Sequence, residues 1–361
     1  MSQTCVIGLP TETKDRERRV ALTPSAVASV VDRGHRVLVQ AGAGEGAGFA
    51  DNDYKEAGAE LVAGPDDVWA AEVVVKVKEP QPAEYGYFRP DLTLFTYLHL
   101  AAEPELTRAL VESGIHAYAY ETLTERGLLP LLAPMSEIAG RAAAIIGAEK
   151  LSAAQGGSGT LMGGAAGVPP AKTLVIGMGV AGTMAARGLR GVDAHVTGVD
   201  VDLQRLYDHH LDGTIDATQV SETAAVAAHV RDADLVVGAA LVPGARAPVV
   251  VTEEMIATMR PGSVVVDLAI DQGGCIATAR PTSLSDPTYV EHGVVHYCVT
   301  NVPGQFPRTA SAALSAAVAP RLLRLVADPT DPALEGALNV ADGAVVHPVV
   351  ASTFPDLPSR A

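Results

Sequence analysis

The chain has 361 residues, 48% of them hydrophobic and 19% charged, with a net charge of −16. That length predicts two domains with sizeable cores, and an acidic balance without a basic cluster argues against nucleic acid or an anionic membrane as partner. No uninterrupted apolar run of about eighteen residues marks a membrane span, no basic-then-apolar leader marks secretion, and three widely spaced cysteines (Cys5, Cys275, Cys298) without a CxxC argue against disulfides or structural zinc and fit a reducing cytoplasm.

The first half alternates strands and helices. "CVIGLP" (5–10) predicts a buried strand, and "TPSAVASVVDRGH" a helix with Thr23 as N-cap, Pro24 in its first turn and Gly34 ending it. "RVLVQ" (36–40) reads as a strand, "DNDYKEAGA" as a short helix, "VVVKVK" (73–78) and "LTLFTYLHL" (92–100) as strands, and "EPELTRALVESG" as a helix. Such alternation implies an α/β domain, its mostly parallel sheet covered on both faces. Residues 133–155 predict a long helix, with Ser136 capping a turn, and "GGSGTLMGGAAGVPP" (156–170) a glycine-rich loop that is either a phosphate cradle or a flap. A second alternating unit begins at Thr173, with strands "TLVIGM", "HVTGVD", "ADLVVGAAL", "SVVVDLAI" and "VVHYCV"; a final helix runs from about residue 310.

Gly177, Gly179 and Gly182 form G-x-G-x-x-G directly after an apolar strand and at the opening of a helix, and Asp200 ends the next strand. The glycines serve a tight turn, close approach of backbone to a pyrophosphate and helix–strand packing. The helix N-terminus offers free N–H groups to phosphate. Asp200 is suited to the ribose hydroxyls and would repel a 2′-phosphate, so NAD is expected rather than NADP. Arg205, one turn on, either lines the adenosine side or is a solvated helix residue. His209 and His210 read as a solvated helix face. His292 and His296 have the spacing of helical metal ligands but fall in a strand pattern, so no metal site is expected.

Longer blocks carry a resemblance. "GLPTETKDRERRVALTP" (8–24), "AGAGEGAGF" (41–49), "VKVKEP" (75–80), "LFTYLHLA" (94–101), "LLAPMSEIAGR" (131–141), "GTLMGG" (159–164), "VIGMGVAG", "LVPGARAP" (241–248), "VVDLAIDQGG" (265–274) and "NVPGQFPRT" (301–309) resemble, in order and nearly end to end, the alanine dehydrogenase and transhydrogenase N-terminal family. The resemblance implies two doubly wound parallel-sheet domains. A substrate domain (1–130 and 308–361) would be interrupted by a Rossmann NAD-binding domain (131–307), and the protomers would assemble as a hexamer. The implied reaction is reversible oxidative deamination of L-alanine to pyruvate and ammonium with NAD.

For that chemistry a 2-oxo acid needs cations for its carboxylate, a proton donor at its oxygen, and an acid/base group for ammonia addition and water loss. The resemblance assigns Arg19 to the substrate carboxylate and Lys78 to its oxygen. Spacing alone does not choose between Lys78 and Lys76, nor between Arg19 as ligand and as surface residue. It assigns His99 and Asp271 to proton transfer; on general grounds His99 also fits a core histidine and Asp271 a turn cap, while Asp267 reads as structural. Met135 and Asn301 are implied around the substrate. Ser136, Val180, Leu241, Ile270 and Val302 are implied around the cofactor, with Gly177, Gly179, Gly182, Asp200, Arg205 and Asp271.

Val302, Gln305, Phe306 and Ala310–Ser311 depart from the family pattern, so a different 2-oxo acid is one alternative. A transhydrogenase-like NAD-binding subunit is a second, and a non-catalytic NAD-binding protein a third.

Overall fold

The computed structural model describes residues 4–242 and 246–360, so Pro243–Ala245 of the "LVPGARAP" stretch lie outside the described residues. In chain order the strands are β1 (Val6–Leu9), β2 (Arg36–Gln40), β3 (Glu60–Val62), β4 (Val73–Val75), β5 (Thr93–Thr96), β6 (His116–Ala119), β7 (Lys172–Ile176), β8 (His195–Asp200), β9 (Ala217–Val220), β10 (Leu235–Gly238), β11 (Val264–Asp267), β12 (Thr288–Glu291), β13 (Val294–Tyr297), β14 (Leu338–Ala341) and β15 (Ala344–Val345). The chain divides into two compact units. Residues 4–135 and 304–360 form the first; Ser136–Val242 and Arg246–Pro303 form the second.

The first unit holds an eight-stranded sheet in the order β15-β14-β6-β5-β4-β1-β2-β3. β1 to β6 run parallel, and the hairpin β14–β15 adds antiparallel to β6. Strand order reverses at β1, which lies between β2 and β4, so loops leaving the carboxyl ends of these strands diverge and leave a crevice, the usual place for a ligand in an open α/β sheet. The helix Pro307–Ala327 belongs to this unit. Ala310, Leu314, Val318, Leu322 and Leu325 make its buried stripe. Buried Ser311 and Ser315 accept the backbone N–H of Val20 and Thr23. By length and composition this helix is a candidate membrane span, but 44% of its apolar window is buried within the protein.

The second unit holds a seven-stranded sheet in the order β12-β13-β11-β10-β7-β8-β9, parallel except for β12. Its central strands β7, β10 and β11 carry unbroken apolar runs, Leu174–Ile176, Leu235–Val237 and Val264–Val266, because both faces are covered. Val175, Val237 and Val266 enter one core cluster, and their neighbours Leu174, Val236 and Val265 enter the other.

Several boundaries differ from the sequence reading. β4 stops at Val75 and β5 at Thr96, so Lys76, Lys78 and His99 lie in the loops that follow rather than on strands. The long helix is Ala133–Lys150 and contains Ser136 as its fourth residue, which rules out the capping role. Thr23 occupies the N-cap of Pro24–Val31 without a capping hydrogen bond; its hydroxyl lies 3.2 Å from that of Ser315. The last helix starts at Pro307, with proline in the N-terminal turn.

Candidate functional site

In the first unit the chemistry-bearing side chains share one edge of the sheet. Glu12, Lys14, Glu17 and Arg19 follow β1; Lys76, Lys78 and Glu79 follow β4; Tyr97 and His99 follow β5; Glu121 follows β6. Arg19 is 2% exposed. Its Nε and Nη2 form a forked pair with the Glu17 carboxylate at 2.8 and 2.6 Å, and its Nη1 lies 3.1 Å from Met135 Sδ. Arg18, next to it, is exposed. A fork of this kind fixes the guanidinium plane before any ligand arrives.

Lys78 is buried, its Nζ 3.6 Å from Glu79 Oε2, and Glu79 also pairs with Lys14. Burial pushes the Glu79 carboxyl up, but Lys78, His99 and Lys14 outweigh it and hold its pKa at about 2. The depressed value means that ionised Glu79 stabilises the fold fully above its ordinary 4.5, and that this contribution disappears as pH falls from 4.5 toward 2. It amounts to about 3 kcal/mol. Glu79→Gln is expected to flatten that acid limb, as read from urea midpoints across the pH range; an unchanged limb would remove Glu79 as its source.

His99 adopts φ 51°, left-handed backbone that a non-glycine residue rarely takes. The buried carboxylate of Glu121 holds it there, accepting the N–H of His99 at 2.6 Å and of Leu98 at 3.2 Å. The imidazole stacks on Tyr97 with ring centroids 5.8 Å apart, and the Tyr97 hydroxyl donates to Leu131 O. His99 Nδ1 is buried without a hydrogen-bond partner, an orphan atom of the kind that marks a site completed by a ligand. Neither Glu17 nor Glu121 was singled out by sequence. Glu17 carried a signal, as the acid two residues before Arg19; Glu121 carried none, since its role depends on β5 and β6 being neighbours.

In the second unit the predicted residues again gather at the carboxyl ends of parallel strands. Gly177, after β7, has φ 89°. A Cβ on Gly182 would lie 1.8 Å from Gly177 O, so only glycine lets the helix Val180–Arg190 pack so closely. Gly179 differs. Its φ of −70° suits any residue, and a Cβ there would meet nothing within 4 Å. No packing within the protein requires that glycine; open space at a helix N-terminus is what a pyrophosphate needs, so the residues fit a dinucleotide. Val180, the first residue of that helix, is exposed, as is Leu241 after β10.

Asp200 ends β8 buried, accepting the N–H of Met178 at 2.7 Å and of Asp202 at 2.9 Å, with Arg205 Nη1 at 3.3 Å. Its carboxylate is thus tied to the glycine loop itself, and Arg205 is held beside it. After β11, Asp271 lies in a 3-10 turn with buried Ile270 and accepts the N–H of Asn301 at 3.3 Å. Asn301 has φ 62°, and buried Val302 follows it. Asp267 is different: it accepts three N–H bonds, from Ala269, Cys275 and Ile276, and burial raises its pKa to about 6 against those bonds. It braces the turn that carries Asp271. Ser136 is half-buried in the helix Ala133–Lys150.

The glycine-rich loop 156–170 does not cradle phosphate at this edge. Ser158 N–H donates to Gly262 O, just before β11, and Gly163 packs on Val192 O, before β8. The loop therefore lies at the amino ends of the strands, opposite the glycine turn. His296 is fully buried and bonded to Thr278, while His292 sits in the turn between β12 and β13; no cluster able to hold a metal occurs among the described residues. His210 is exposed, but His209 bonds Thr183 Oγ1 at 3.0 Å and so is not simply solvated.

Residues 8–139 match the family described as "Alanine dehydrogenase/PNT, N-terminal domain", and residues 143–348 match "Alanine dehydrogenase/PNT, C-terminal domain". The chain belongs to the alanine dehydrogenase/PNT family. It is 50% identical over 361 residues to an alanine dehydrogenase of Bacillus subtilis (strain 168), covering 96% of this chain and 94% of that one. Among solved structures, an L-alanine dehydrogenase superposes with a TM-score of 0.91 at 48% identity, covering 97% of this chain and 99% of that chain. A transhydrogenase from Sinorhizobium meliloti superposes at 0.79 and 30% identity, covering 95% and 99%. Within this alanine dehydrogenase/PNT chain the departures at Gln305 and Phe306 fall where the second unit returns to the first. Gln305 closes the 3-10 turn Val302–Gln305, and exposed Phe306 is the N-cap of Pro307–Ala327.

Proposed function

We propose that this chain is an NAD-dependent alanine dehydrogenase, catalysing reversible oxidative deamination of L-alanine to pyruvate and ammonium. The observation that carries the reading is the arrangement of Lys78, Glu79 and His99 at one sheet edge with Arg19, in a chain whose second unit carries a dinucleotide turn. Identity of 48–50% to alanine dehydrogenases, against 30% to the transhydrogenase, favours it over the transhydrogenase reading.

When bound by Gly177–Gly182, Val180 and Asp200, a nicotinamide dinucleotide supplies or accepts the hydride. Arg19, oriented by Glu17, pairs with the substrate carboxylate, and Met135 packs beside it. Lys78 orients the carbonyl oxygen and stabilises the negative charge that develops there. His99 gives a proton to that oxygen as ammonia adds to the carbonyl carbon and takes it back in the reverse direction. Asp271, aligned by the Asn301 N–H, moves the proton lost by ammonia and gained by departing water. Ser136, Arg205, Leu241, Ile270 and Val302 line the cofactor, and Asn301 the substrate.

The reading includes a homo-hexamer in the cytoplasm, with the substrate domain at 1–130 and 308–361 and the cofactor domain at 131–307. Light scattering behind size exclusion tests the assembly. Asp200→Ala is expected to weaken NADH binding and raise the NADPH to NADH activity ratio, because the carboxylate that repels a 2′-phosphate is gone; an unchanged ratio removes Asp200 from that role.

The testing experiment is NADH oxidation with ammonium and a panel of 2-oxo acids, with NADPH as control. Ammonium-dependent turnover led by pyruvate supports the reading. Turnover led by another oxo acid keeps the mechanism and moves specificity to the Gln305–Phe306 segment. NADH binding without any turnover overturns it.

A further inference from the structure

Two lysines follow β4, and only Lys78 is assigned to the proposed chemistry. Lys76 is 1% exposed. Its Nζ lies 3.1 Å from Glu12 Oε2 and 2.9 Å from Glu84 Oε1. Glu12 in turn accepts the N–H of Val77 at 2.6 Å and of Lys78 at 3.3 Å. Glu84 accepts the Thr13 hydroxyl at 2.8 Å and the Gln81 N–H at 2.7 Å. Glu12 and Thr13 belong to the loop after β1 that carries Arg19; Val77, Lys78 and Gln81 belong to the segment after β4. β1 and β4 are parallel neighbours, so the two loops leave the sheet side by side.

A buried ion cluster is a poor source of stability compared with apolar packing of the same volume. What apolar side chains do not supply is a set of hydrogen bonds that ties the side chains of Glu12 and Thr13, in the loop after β1, to the backbone and Glu84 of the segment after β4. The two cations assigned to one small oxo acid come from these two loops, and a misplacement of about 1 Å is enough to lose much of the benefit of preorganised binding.

We propose that Lys76 is a positioning residue: by holding Glu12 and Glu84 together between the two loops, it sets where the Lys78 ammonium stands relative to Arg19, and hence how the 2-oxo acid is gripped. This rests on the reading of Arg19 and Lys78 as substrate cations.

The test uses the full chain with Lys76→Met and the milder Thr13→Val, which removes one hydrogen bond from the same tie and keeps the ion cluster should Lys76→Met fail to fold. Steady-state kinetics with pyruvate, ammonium and NADH are paired with hydrogen-exchange mass spectrometry of residues 76–81. In Lys76→Met, the pyruvate KM is expected to rise at least roughly tenfold, as loss of a positioning contact does. Thr13→Val gives a smaller rise of the same kind. NADH affinity stays unchanged and segment 76–81 loses protection in both. Reduced kcat with unchanged pyruvate KM is the mark of a merely structural role and overturns the proposal. So does unchanged protection of 76–81, which is read whether or not the protein turns over an oxo acid. Wild-type protein inert toward every oxo acid overturns instead the dehydrogenase reading on which the proposal rests.

Discussion

His99→Ala is expected to lower kcat for reductive amination by about 10²–10⁴-fold, the usual worth of a positioned acid/base group. NADH binding should be untouched, because the turn proposed to hold the dinucleotide is built from Gly177–Gly182 and Asp200, and His99 is no part of it. The physical case is local. A histidine held at φ 51° by a buried carboxylate, with a buried Nδ1 that nothing satisfies, carries costs that a core histidine avoids. Asp271→Asn is expected to produce a similar loss. The amide still accepts the Asn301 N–H but does not carry a proton away from ammonia. Stopped-flow measurement of single turnovers, with NADH affinity from fluorescence quenching, separates chemistry from binding. Near-wild-type kcat in both variants would falsify the acid/base assignment.

Much of this fold is legible in the sequence wherever one rule acts alone. β2 and β8 fall on the residues read from their apolar patterns, β2 from an alternation that buries Val37 and Val39, β8 from a run buried after its first residue. The glycine turn between β7 and its helix is legible because three glycines, a strand, a helix and an acid coincide within 24 residues of Gly177. The short edge strands are not. β14 and β15 are joined by Asp342–Gly343, both at positive φ, a hairpin dipeptide that is visible in "ADGA" but says nothing of pairing with β6. The lysine ambiguity has the same origin. A strand drawn through residue 78 puts Lys76 and Lys78 on one face, whereas the strand ends at Val75 and the two side chains meet different partners. The glycine-rich loop 156–170 misleads for a related reason: composition records that a backbone approaches something closely, but not which end of the sheet it approaches.

Arg19→Ala should cost both stability and substrate binding, and a double variant separates the two. Glu17 is buried, and the forked guanidinium supplies charge-assisted bonds to both of its oxygens. Removing one partner of a buried pair destabilises by about 3–5 kcal/mol, because the remaining charge keeps its desolvation cost. Arg19→Ala/Glu17→Gln removes that charge as well, so much of the lost stability should return. The pyruvate KM should not return, since the carboxylate still lacks its cation. Urea unfolding reads the first effect and steady-state kinetics the second. If pyruvate KM recovers along with stability, Arg19 is a packing residue and the carboxylate is held elsewhere. If stability does not recover, the fork is not the main source of the loss, and Met135 at 3.1 Å from Nη1 becomes the contact to change next. Arg19→Lys sharpens the comparison. It keeps the positive charge but not the planar fork, so it should hold more stability than alanine while still raising pyruvate KM.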